Sequence, residues 1–160
     1  MKHVSFAAIE KAISIVDNLD DDGLEKLSEK YALAQPTLLG YVMSAPAEYN
    51  NEPLEGLLIY YFCLLSACFE EQGLQAAQVS ENDIDEFEEP YFDMLDAYFE
   101  NDDEDLLDEF CDQPELTRFM AMEISTEDTD GSSLDDETAT QLFIVTVAMI
   151  ALMNRAVNQA

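Results

Sequence analysis

One hundred and sixty residues suffice for a single all-helical domain, residues 1–160, burying roughly two-thirds of its unfolded surface. Thirty-six Asp and Glu against six Lys and Arg leave a formal charge of −30, with one His, three Cys and 48% apolar residues. That balance excludes disorder by composition, and it argues against bare nucleic acid or an anionic membrane as partners because they carry charge of the same sign.

The helical reading runs nearly unbroken. Met1-Lys2-His3 precedes too short an apolar stretch for a secretory leader, and it is read as a mobile terminus. Phe6, Ile9, Ile13 and Val16 recur at three- and four-residue steps, predicting an amphipathic helix over 5–18. Asp20-Asp21-Asp22-Gly23 reads as a turn that can cap a second helix, whose stripe is Leu24, Leu27, Tyr31 and Ala34. Pro36 ends it, a short third helix runs from Thr37 to Met43, and Pro46 with Tyr49-Asn50-Asn51 forms the next loop.

Asn51 is the expected cap of a fourth helix, Pro53 suits its first turn and Gly73 its close. Leu57 to Leu65 is apolar without a break, so this helix is expected to be buried on every side. The same holds for a final helix over 135–157, with Arg155 near its end facing the helix dipole. Its apolar run, Leu142 to Met153, spans 12 residues, short of the ~20 that cross a bilayer, so no membrane span is expected. These two helices are the predicted centre of a fold of seven or eight, wrapped by acidic amphipathic helices.

Between them lies the acidic region. Ser80-Glu81-Asn82-Asp83 resembles a capping box, Ile84 and Phe87 begin a stripe, and Pro90 is expected to break or kink the helix before it restarts at Phe92. Asp102 or Asp103 can cap a short helix carrying Leu106, Leu107 and Phe110, and Asp112-Gln113-Pro114-Glu115 reads as a further start. Half of the 32 residues from Glu81 to Asp112 are acidic, and no Lys or Arg falls between Lys30 and Arg118.

Chemistry is scarce. His3 is the only histidine, which removes every scheme needing a core His base or ligand. Cys63, Cys68 and Cys111 sit among apolar or acidic residues, the setting of buried free thiols in a reducing cytoplasm. Residues 126–137 partly overlay an EF-hand loop: acids third and fifth, Gly131 sixth, Glu137 twelfth. Thr126 replaces the first-position acid, so no calcium binding is expected there. Carboxylate pairs such as Glu89 with Asp93, and Asp93 with Asp96, could hold Mg²⁺ in an all-helical phosphohydrolase, yet no cation lies near enough in sequence to take a phosphate.

The expected function is therefore non-catalytic and without cofactor: an acidic binding module of adaptor, chaperone, immunity or nucleic-acid-mimic type, acting in the cytoplasm on a basic protein. Its expected contact face is Asp85, Glu86, Glu89, Asp93, Asp96, Glu100, Asp102, Asp103, Glu104 and Asp105. The alternatives are the carboxylate-metal phosphohydrolase and a structural or oligomerising protein with a merely solvated acidic surface. The oligomeric state is left open.

Overall fold

Ser5 opens the first helix by accepting a hydrogen bond from Ala8 N–H on its hydroxyl oxygen, and α1 runs Phe6–Asp17. The computed structural model describes residues 3–125 and 136–159, and among these it holds eight helices and no strand. Asp20 caps α2 (Asp21–Ala34), its carboxylate accepting from Gly23 N–H at 2.7 Å. Asp21 and Asp22 thus belong to the first helical turn rather than to a separate loop, where their charge meets the positive end of the helix dipole.

Two prolines expected to end helices lie inside them. α3 (Pro36–Glu48) starts on Pro36 and continues past Met43 through Pro46, stopping only before Asn50 at φ 52°. A proline in a helix forfeits one backbone bond; here Val42 and Ala45, both buried, hold the segment on the core. α5 (Glu81–Asn101) opens with the full reciprocal capping box of Ser80 and Asp83 and passes unbroken through Pro90. Pro90 and Glu86 are both exposed, so water can take the carbonyl that Pro90 leaves free. Ile84, Phe87, Tyr91, Met94 and Leu95 keep the buried stripe in phase across it.

α4 (Leu54–Glu71) is not capped by the Asn51 side chain. That amide donates instead to Thr138 Oγ1 at 2.9 Å and Gln141 Oε1 at 2.8 Å, tying the turn before α4 to the last helix. At the other end Gly73 takes φ 76°, and Leu74 N–H reaches back to Phe69 O, a left-handed closure that suits glycine. The extended connection that follows is clamped by buried Gln35, which donates to Ala77 O and accepts from Val79 N–H. Asp102, at φ 51°, ends α5, and Asp103 caps α6 (Glu104–Cys111). α7 (Pro114–Ser125) starts after Gln113 rather than after Asp112, which is the left-handed cap closing α6. The final helix, α8, is Asp136–Gln159.

α4 packs on α1, α2, α3 and α8; α8 packs on α3, α4, α5, α6 and α7. Every residue from Phe62 to Phe69 is buried, but most of the first half of α4 reaches the surface. Among the described residues only α8 is long and apolar enough by length and composition to cross a membrane, over Glu137–Val157, and 78% of its most apolar window is buried inside the protein. The longer stretch emerges because its many Ile, Val, Leu, Met and Ala residues outweigh isolated Thr and Gln in the mean. Thr146 hides its polarity by donating to Leu142 O. Arg155 is not in the last turn of α8; its half-buried guanidinium lies 5.1 Å from the ring centroid of Phe87 and 5.0 Å from that of Phe110.

His3 and Val4 are tied down. His3 Nε2 lies 3.0 Å from Asp112 Oδ1, Val4 is fully buried, and Val4 N–H donates to Gln113 Oε1 at 2.7 Å. Gln113 Nε2 donates onward to Asn154 Oδ1. One side chain thus joins α1's entry, α7's start and α8. The EF-hand-like segment falls almost wholly on 126–135, outside the described residues.

All three cysteines are free and buried. Burial pushes the Cys68 and Cys111 thiols from an ordinary 9.0 to about 12, with Asp108 adding to the shift at Cys111. The folded chain therefore holds thiol protons that the unfolded chain releases. This contribution to stability is complete below about pH 9 and is lost as pH rises through about 12. Urea melts between pH 8 and 12 should show the decline, and a thiol reagent at pH 8 should label the cysteines only on unfolding. Gln113→Ala should cost about 3 kcal/mol, since it leaves the Val4 N–H and the Asn154 carbonyl unpaired. The denaturation midpoint should fall with the slope unchanged.

Candidate functional site

The ten acids expected to form a contact face are all exposed. Asp85, Glu89, Asp93, Asp96 and Glu100 follow one another at four-, four-, three- and four-residue steps, forming one stripe along α5 opposite its buried side. Glu86 stands on the shoulder of that stripe. Asp102, Asp103, Glu104 and Asp105 form the junction between α5 and α6, where Asp103 Oδ1 accepts from Asp105 N–H.

None of the ten takes part in an ion pair among the described residues. The pairs there are His3–Asp112, Lys11–Glu71, Lys30–Glu70 and Arg118–Glu115, all partly exposed. The face is therefore a field of like charge that holds no ion pair of its own among the described residues.

Two aromatic rings share it. Phe92 is 44% and Phe99 53% exposed, two helical turns apart and beside the acid stripe. Phe87 and Tyr91 point the other way, stacked at 4.7 Å in the core. In the sequence Phe87 begins one apolar stripe and Phe92 restarts the helix after Pro90. Breaking the helix at Pro90 hid the outward pair, because phase cannot be carried across a break. With α5 continuous, the seven-residue spacing of Phe92 and Phe99 puts them on the acid side.

Small concavities border the face. Asp85 and Glu81 line an open cleft of about 520 Å³ with Pro36, Thr37, Gly40 and Tyr41. Phe92 lines another of about 130 Å³ with Tyr41, Tyr49 and Glu88. Burial, reinforced by Glu88, pushes the Tyr41 phenol up to about 12, so it stays a neutral hydrogen-bonding group at ordinary pH.

Metal chemistry finds no frame in this arrangement. Glu89, Asp93 and Asp96 lie along one exposed helix edge, and among the described residues no group of three or more His, Cys, Asp or Glu side chains is placed to hold a metal ion. No family model matches the chain, and neither the curated proteins nor the solved structures contain a match to it.

Exposed ion pairs contribute at most about 1 kcal/mol each, whereas the unpaired acids repel one another across the whole surface. Screening should therefore weaken more repulsion than attraction, as the Debye length shrinks from about 10 Å at 0.1 M salt to about 3 Å at 1 M. The melting temperature should rise between low and molar NaCl. A flat or falling trend would mean that the acids are spaced too widely to matter.

Proposed function

We propose that the chain is a non-catalytic, cytoplasmic binding module that holds a basic protein surface against the outer side of α5 and the α5–α6 junction. In this reading α4 and α8 form an apolar centre wrapped by acidic amphipathic helices, a rigid support for the contact face. The observation that carries it is the exposed, unpaired stripe of five α5 carboxylates with Phe92 and Phe99 beside it. Lys and Arg side chains have apolar stems below their charged heads, so a basic surface can meet carboxylates and rings together. Opposed fields would speed encounter, and the rings would supply the apolar contact that slows release.

The other exposed large apolar residues among the described ones, Phe6 and Ile15 on α1, Leu33 on α2 and Met122 on α7, are spread over three different helices. Nothing in that distribution favours an oligomerising patch over the acidic face.

Reversing Asp102, Asp103, Glu104 and Asp105 to Lys changes the face's charge by +8 without touching the core. This variant should keep its helical circular dichroism. Immobilised parent protein should retain basic proteins from a native lysate at low salt and release them at high salt, and the variant should retain none of them. A defined basic partner identified in this way should lose about tenfold in affinity with Phe92→Ala and Phe99→Ala together, mainly through faster dissociation. Equal retention by parent and charge-reversed proteins would refute charge recognition.

A further inference from the structure

A second cleft, of about 480 Å³, opens between the end of α2, the second half of α4, the connection after Gly73 and Met153 of α8. Its size falls within the range of small-molecule sites. The apolar side is built from buried residues: Phe69 is 1%, Met153 4% and Leu74 6% exposed. The polar side is set at two depths.

At the mouth, Lys30 Nζ donates to both oxygens of Glu70, at 2.9 and 3.1 Å, and the Tyr31 hydroxyl donates to Glu70 Oε2 at 2.7 Å. Hydrogen bonds from Lys30 and then Tyr31 hold the Glu70 carboxyl below its ordinary range, so the cluster is charged but locally neutralised. Gln35 has both ends of its amide committed to the Ala77 and Val79 backbone.

Deeper in, Ser66 is only 6% exposed and lines the cleft, and its Oγ is the one buried side-chain polar atom among the described residues without a hydrogen-bond partner. An orphaned buried hydroxyl forfeits the bonds it would make to water. A ligand that supplies an acceptor restores them. The Lys30–Glu70 pair leaves no spare charge for an ionic head, and the protein's overall field opposes an anion.

We propose that this cleft binds an uncharged amphipathic small molecule, with an aromatic or aliphatic body against Phe69, Leu74 and Met153 and a carbonyl or amide oxygen accepting from Ser66 Oγ. The site is separate from the acidic face and does not depend on its role.

The test uses a neutral ketone dye, 6-propionyl-2-(dimethylamino)naphthalene, and acetanilide as an amide fragment, with the full chain. Dye emission should shift to the blue and saturate on titration. Acetanilide should compete and should perturb the NMR signals of Ser66, Phe69 and the Met153 methyl. Ala34→Trp places a large ring in the mouth from an exposed helical position and should abolish binding. Ser66→Ala removes a hydroxyl that has no partner to lose, so it should keep the melting temperature and weaken binding roughly five- to tenfold, the effect of one hydrogen bond. The Lys-reversed α5–α6 variant should bind the dye as the parent does. Absence of saturable binding, shifts mapping elsewhere on the parent chain, or dye affinity unchanged in both cleft variants would overturn the assignment.

Discussion

The fold depends on the burial of α8. Five of the other seven described helices rest on it directly, and α1 and α2 join through α4. A helix that is apolar around its whole circumference cannot be satisfied by one neighbour, so its sequence calls for a ring of partners. Each partner then needs only one apolar stripe, which frees its outer surface for acids. Thirty-six carboxylates are compatible with a globular chain because so much of the apolar content is concentrated in α8 and in Phe62–Phe69.

Polar groups inside this body act as joints rather than as chemistry. Gln113 couples Val4 to α7 and α8, Gln35 holds the connection between α4 and α5, and Asn51 fastens the start of α4 to α8. Each is an amide, able to donate and accept at once, so each can bridge two elements without introducing a charge that would have to be desolvated. Ser66 stands outside this pattern, with nothing to bridge. That contrast is what makes its cleft informative.

Much of the helical order was legible from apolar spacing and caps. Ser5, Asp20, Ser80 and Asp103 cap as their residue types suggest, and Gly73 closes α4. The errors share a cause: local signals at Pro46, Pro90 and Asn51 were outweighed by long-range contact. A proline ends a helix only when nothing repays the missing bond; the buried stripe on both sides of Pro90 does so, and at Pro46 the buried Val42 and Ala45 hold the preceding turn on the core. Asn51 suits a cap, but its partners on α8 are almost 90 residues away and invisible to local reading. The acid positions of the candidate face could be read from composition and period, whereas Phe92 and Phe99 required the helix phase across Pro90. The cleft at Ser66 draws on four separate stretches of chain, and no spacing in the sequence announces it.

Arg155 is a cation spent on the interior by a chain that has only six Lys and Arg. Its guanidinium lies over one ring from α5 and one from α6, so it joins the two most acidic helices to α8 through π faces rather than carboxylates. An attraction of that kind is shielded from dissolved ions by the surrounding packing. Ionic strength can tighten or loosen the repulsion on the outer surface while the seating of both helices stays constant. Lysine, a compact and more strongly hydrated charge, would be a poor substitute at that position. The acidic exterior can therefore respond to its ionic surroundings without passing that response to the core.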